Sequence, residues 1–161
     1  MVYYSAWNSD WNKCKMYVKN IKDDPWLMTA DAYAIYAQCL FKPVFEEYQE
    51  EIAKLTVKQE CSIFACLHNE QFAGIIALEK TSSDTAEIIS IAVKKELQRR
   101  GIGKYMVRFA AQALNVNFLT VETDNESVGF YNKSGFLTTP FIRHFPDADV
   151  TRYNCVLEIN S

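Results

Sequence analysis

The chain has 161 residues, 49% hydrophobic and 23% charged, with a net charge of −3. A chain of that length buries a core without disulfide staples, and so even a composition excludes a disordered polyelectrolyte. The mild acidity also excludes the broad basic face that a nucleic-acid lattice demands. The five cysteines are odd in number and lack metal-ligand spacing, so they read as small buried hydrophobes of a reducing compartment. Neither a charged-then-apolar leader nor a long apolar span is present, so the expected location is the cytoplasm, away from any membrane.

In chain order, Trp7, Trp11, Cys14, Val18 and Ile21 share one helical face. They predict a short amphipathic helix over about 9–20, broken at Asp24-Pro25. Tryptophans on such a stripe read as core more readily than as a ligand box. Thr29 is placed to cap a helix over 30–41, which Pro43 interrupts. Val44, Phe45, Tyr48, Ile52 and Leu55 predict a further helix with Glu46, Glu47, Glu50 and Glu51 outward. A solvated acidic face is the plain reading, and a wall that greets a cationic substrate is the functional one. The pattern then changes to strands. Residues 61–67 and 72–78 form apolar runs about His68-Asn69-Glu70-Gln71, a hairpin, and Lys80 to Thr85 is a second turn.

The stretch from Ala86 to Phe109 organises the rest. Ala86 to Val93 is an apolar, β-branched run of the kind a strand buried on both faces needs. Lys94 to Arg100 is polar and basic, Gly101-Ile102-Gly103 turns, and Tyr105, Met106, Phe109, Ala110, Ala113 and Leu114 recur at helical spacing. Strand, basic loop, glycine turn and helix together bring backbone N–H groups, a positive helix end and cations to one place. Between Lys94 and Arg108 six basic residues face one acidic residue, a net of +5 that leaves −8 for the remainder. Such an island suits a small polyanion; a solvated basic loop is the plain alternative. Beyond it, strand 118–122 leads to a short helix over 127–134 closed by Gly135. Final strands over 136–142 and 150–159 are joined by a loop containing His144, Pro146, Asp147 and Asp149. This order predicts an α/β fold, a mixed sheet flanked by helices, in one domain 1–161. A helical region 1–58 precedes the sheet region 60–161.

Gln98-Arg99-Arg100-Gly101-Ile102-Gly103 after a hydrophobic strand resembles Q/R-x-x-G-x-G/A, the acyl-CoA pyrophosphate loop of the GNAT superfamily of N-acetyltransferases. It lacks the third glycine of a dinucleotide fingerprint and the Gly-Lys-Ser/Thr ending of a P-loop. A second block, TDNESVGFYNKSGF over 123–136, is similar to the family's strand-end, helix and "FYxxxGF" segment. The resemblance implies an acyl-CoA N-acyltransferase fold whose central parallel strands splay apart to admit CoA. The pantetheine arm would then pair with the backbone of Ile91, Ala92 and Val93, and the pyrophosphate would meet the loop from Gln98 through Arg99, Arg100, Gly101, Ile102 and Gly103 to Lys104. Asp124 stands where the family often has a CoA-contacting asparagine, and its neighbour Asn125 is the other candidate.

The implied activity is acetyl transfer from acetyl-CoA to a primary amine by direct attack, without a metal or a covalent enzyme intermediate. Tyr131 matches the family tyrosine that protonates the leaving thiolate; a core aromatic beside Phe130 and Phe136 is the alternative. Glu87 matches the general-base glutamate of histone-acetyltransferase members, against an exposed strand end with an ordered water as base. His144, Arg152 and Tyr153 are polar candidates for acceptor recognition. The acceptor is open among small-molecule and protein amines, and dimers are common in the family. The alternative function is a non-catalytic acyl-CoA-binding regulatory module.

Overall fold

The structure is a computed structural model describing residues 4–5 and 15–159. Its strands are β1 (Tyr4–Ser5), β2 (Met16–Asn20), β3 (Cys61–His68), β4 (Gln71–Lys80), β5 (Thr85–Val93), β6 (Phe118–Thr123), β7 (Leu137–His144) and β8 (Asp149–Glu158). The helices are α1 (Ala30–Tyr36), α2 (Phe45–Val57), α3 (Ile102–Leu114) and α4 (Val128–Lys133). Strand order is β1-β2-β3-β4-β5-β6-β8-β7. The β5–β6 pair is parallel, whereas β1–β2, β2–β3, β3–β4, β6–β8 and β7–β8 are antiparallel. This is the mixed α/β sheet that the order of elements predicts. Among the described residues no helix is long and apolar enough to cross a membrane. Contacts group the chain into two compact units, one up to Glu79 with Ile89–Ala110, the other Lys80–Ile88 with the residues from Ala111.

In the first unit β3 is covered on both faces. Ile63, Ala65 and Leu67 join Leu27, Tyr36, Tyr48 and Ile52 in one buried cluster with α1 and α2. Phe64 points the other way and meets Phe109 of α3 edge-on, with ring centroids 5.5 Å apart. Alternate residues therefore both need apolar side chains, and the run reads as continuous hydrophobicity. On β4, an ideal Cβ at Gly74 would lie 2.8 Å from the Met106 methyl of α3 and 3.0 Å from the Ala92 carbonyl of β5. The β3–β4 turn is tighter than predicted: Asn69 and Glu70 alone make it, with φ of 50° and 65°. Positive φ at both positions matches the right-handed twist of the flanking strands.

Three expectations for this unit are corrected. Met16–Asn20 is a strand paired with His68 to Phe64 of β3, where a helix was expected. The open side of β3 offers a ladder that an extended segment satisfies, and this outweighs an apolar spacing drawn partly from Trp7, Trp11 and Cys14. Those three lie outside the described residues. Thr29 does cap α1, its Oγ1 accepting from Ala32 N at 3.3 Å, but α1 stops at Tyr36 and tightens into a 3₁₀ turn at Ala37–Cys39. Phe41 is consequently 90% exposed. Last, β5 is not buried on both faces: Ala86, Ile88 and Ala92 are buried, Glu87 is exposed, and Ile89, Ser90, Ile91 and Val93 are half-buried. An apolar run reads alike whether or not protein covers its second face.

In the second unit β5 pairs with β6 through Thr85↔Phe118, Ala86↔Leu119 and Glu87↔Thr120. Strand β8 lies between β6 and β7. The predicted 143–149 loop is shorter, since His144 and Asp149 are the last paired residues and His144 Nδ1 lies 2.7 Å from Asp149 Oδ1. On β6, Glu122 accepts two hydrogen bonds from Arg143 of β7, at 2.9 and 2.7 Å, and one from Arg152 of β8 at 3.1 Å. Desolvation alone would push the Glu122 carboxyl up, but the hydrogen bonds and charges of Arg152 and Arg143 outweigh it and hold it below its ordinary value.

Two outcomes follow from this packing. Gly74→Ala should destabilise the protein by roughly 1–3 kcal/mol, because the Ala92 carbonyl is backbone and cannot swing aside. Urea unfolding checks it, and a wild-type midpoint would mean that the helix and strand yield easily. For Glu122 the folded carboxyl lies below the unfolded one. Its contribution is therefore present above the unfolded value of about 4.3 and is lost as pH falls through the folded one. Glu122→Gln should lower stability at neutral pH and shrink the loss seen on acidification, as unfolding curves at both pH values would show.

Candidate active site

The first unit holds one group of the predicted residues. β5 ends at Val93, whose next residue is tied back by Lys94 N to Ala73 O of β4 at 2.8 Å. Lys95–Leu97 form a 3₁₀ turn, and Gln98 reaches back so that its Nε2 donates to the Val93 carbonyl at 3.0 Å. Arg99 and Gly101 both take positive φ, 63° and 82°. Two left-handed residues in three turn the backbone sharply, and Gly101 is the one that does so without strain. The first bond of α3 runs from Tyr105 N to Gly101 O at 3.0 Å. The N–H groups of Ile102, Gly103 and Lys104 thus precede it and have no acceptor within the helix. Arg99, Arg100 and Lys104 are exposed around them, while Ile102 and Gly103 are buried. Positive dipole end, N–H groups and exposed cations make a candidate anion cradle, with Ile91, Ala92 and Val93 leading into it.

The second unit holds the other group. Glu87 is exposed in the paired part of β5. Asp124 follows β6 and turns the chain into α4: its Oδ1 accepts from Glu126 N at 3.0 Å and Ser127 N at 2.9 Å. Asn125 uses its Oδ1 to accept the Tyr153 hydroxyl at 2.7 Å. Tyr131 of α4 is 5% exposed and packs edge-on against Phe130 and Phe136, with centroids 5.0 and 5.2 Å away. Gly135, at φ 95°, closes that helix as predicted. Arg152 is engaged with Glu122 and His144 with Asp149.

A third constellation, in the first unit, escaped the sequence reading. Glu51 is half-buried, not outward, and its Oε1 accepts the Tyr36 hydroxyl at 3.4 Å. The same hydroxyl contacts Ser90 Oγ on β5. A lone hydroxyl inside the apolar run of β5 was its one signal in the sequence. A separate surface cavity of about 330 Å³, lined by residues that include Lys22, Met28 and Ile52, holds none of the predicted site residues.

Comparison with known proteins now bears on these groups. The family model described as "Acetyltransferase (GNAT) family" matches residues 29–136. A Bacillus subtilis (strain 168) protein described as the uncharacterized N-acetyltransferase YvbK is 32% identical over 120 residues, 68% of this chain and 71% of that one. An aminoglycoside 6'-N-acetyltransferase complexed with coenzyme A superposes with a TM-score of 0.71 at 14% identity, covering 89% of this chain and 97% of that one. A GNAT family acetyltransferase from Elizabethkingia anophelis with acetyl-CoA bound gives 0.63 at 20% identity, over 89% and 98%. The two structures show a shared fold, and they agree with the relative and the family model, whose match includes both sequence blocks: this chain belongs to the acetyltransferase (GNAT) family.

Proposed function

We propose that the chain transfers the acetyl group of acetyl-CoA to a primary amine by direct attack of the amine on the thioester. The observation that carries this reading is the anion cradle at Gln98–Lys104, a strong local positive field in a chain that is negative elsewhere. Family membership and the CoA and acetyl-CoA bound by two of its structural relatives support the choice of anion. In this reading the backbone of Ile91, Ala92 and Val93 pairs with the pantetheine arm, as an added strand would. The loop from Gln98 through Lys104 takes the pyrophosphate, and Asp124 or Asn125 contributes a further contact. A main-chain N–H near Ile91 or Ala92 polarises the thioester carbonyl as it becomes tetrahedral. The C–S bond then breaks, and Tyr131 gives its phenolic proton to the leaving thiolate. A phenol in water has a pKa of about 10, so the group type carries a proton to give at neutral pH. Glu87 is the carboxylate that the resemblance offers for the amine's proton, with water as the alternative.

The burial of Tyr131 between two phenylalanines favours a second reading, a non-catalytic acyl-CoA-binding module in which Tyr131 is core. One experiment tests the CoA site that both readings share, and a second separates them by turnover. Converting Arg99, Arg100 and Lys104 together to Gln should raise the Kd for CoA by roughly tenfold or more, since three exposed cations are lost and about 1.4 kcal/mol is a factor of ten. The affinity that remains should depend less on salt. Calorimetry showing an unchanged Kd would remove the pyrophosphate from this loop. Tyr131→Phe keeps the ring between Phe130 and Phe136 and should leave acetyl-CoA binding nearly intact. Turnover should fall by about one to three orders of magnitude, in kcat and kcat/KM together. Wild-type turnover in that variant would return Tyr131 to the core.

A further inference from the structure

Glu51 of α2, Tyr36 of α1 and Ser90 of β5 make one hydrogen-bonded chain within the first unit. Its direction is settled by counting protons. A carboxylate only accepts, so the single phenolic proton of Tyr36 goes to Glu51. The Tyr36 oxygen then accepts the hydroxyl proton of Ser90. Ser90 has no second proton, so its Oγ offers lone pairs alone, at a half-buried position on β5. An N–H donor is what completes such a chain.

The surroundings of Glu51 fit that direction. The titratable groups facing it are Tyr36 from α1, Cys39 from the turn after α1 and Tyr48 from its own helix, while β5 presents Ser90. Burial pushes the Tyr36 phenol well above its ordinary value, and burial with the charge of Glu51 pushes the Cys39 thiol up to about 12. Among the described residues no Lys, Arg or His pairs with Glu51. Glu87, by contrast, is exposed and joins no such chain. Ser90 also adjoins Ile91, the first of the three backbone positions proposed for the pantetheine arm.

We propose that Ser90, Tyr36 and Glu51 carry away the proton of the acceptor amine, an inference that rests on the acetyl transfer proposed above. The ammonium gives a proton to Ser90 Oγ as the proton of Ser90 moves to the Tyr36 oxygen and that of Tyr36 to Glu51. The amine is left neutral and nucleophilic, and Glu51 is left as a carboxylic acid. The Ser90 and Tyr36 oxygens each gain one proton as they lose one, so Tyr36 never becomes a phenolate, and Glu51 keeps the proton that leaves the amine. Ser90 is the group that meets the amine, and Tyr36 and Glu51 act through it.

The test uses the full chain. An amine panel with mass-spectrometric detection identifies an acceptor, and kcat/KM is then followed against pH alongside the calorimetric Kd for acetyl-CoA. Glu51→Gln should lower kcat/KM at pH 7 by about 10²-fold and leave that Kd unchanged. Its activity should recover only as pH approaches the pKa of an ordinary alkylamine, about 10. Ser90→Ala and Tyr36→Phe should show the same displaced profile, and either combined with Glu51→Gln should lose little more, because the chain is already cut. Ser90→Ala, a small change at a half-buried site, keeps the test available if the Gln variant fails to fold. A wild-type profile in Glu51→Gln, or in Ser90→Ala where that variant stands in for it, overturns the proposal, and so does a profile displaced by Glu87→Gln alone. If the wild-type protein binds acetyl-CoA and acetylates none of the amines, the transfer reading falls and the relay with it.

Discussion

Gly74 has no side chain because the space beside it is already filled. The Met106 methyl of α3 and the Ala92 carbonyl of β5 would both press on a Cβ there, so helix, strand and neighbouring strand are held at the distance that only hydrogen permits. The anion cradle depends on this approach. α3 can present the N–H groups of Ile102 to Lys104 beside the end of β5 only if its own body lies close along β4. The N–H of Lys94 donating to Ala73 fixes the other side of the same turn. A one-residue choice in a hairpin strand thus sets the position of a basic loop some twenty-five residues further on.

Two carboxylates, Glu122 and Glu51, have opposite settings. Glu122 sits between two arginines and is a structural anion, neutralised by its partners and tied into three strands. Glu51 has phenols and a thiol around it and no cation among the described residues. A half-buried carboxylate in such company keeps its capacity to accept, whereas one fully paired with guanidinium has little left to offer.

Much of this was legible in the residues. The glycine turn, the basic run and the helical spacing after it announce the loop and the helix start because each requirement is local: a positive φ, a dipole end, a cluster of like charge. Gly135 was legible for the same reason. The segment at Met16–Asn20 was not, since its partner His68–Phe64 lies far along the chain and a pairing register leaves no trace in a five-residue window. Nor was the setting of Glu51. Helical spacing groups it with Glu46, Glu47 and Glu50, and only the tertiary approach of Tyr36 and Ser90 distinguishes it from them. Geometry that resides in one loop can be read from sequence; a group assembled from α1, α2 and β5 cannot.

The glutamine that opens the basic loop has a thermodynamic consequence. Because Gln98 already donates to the Val93 carbonyl, that acceptor is satisfied before any ligand arrives. A strand-like ligand that claims it exchanges or shares a hydrogen bond and gains little from doing so, the usual net worth of one being only about 1 kcal/mol. The tip of β5 is therefore pre-ordered for shape without being sticky. In the proposed reading, backbone pairing there would decide how an extended ligand is aligned, and the affinity itself would be left to the charges of the neighbouring loop. Alignment and attraction could then vary separately: on that reading a change in the cations would retune residence time while the reacting end stayed in register.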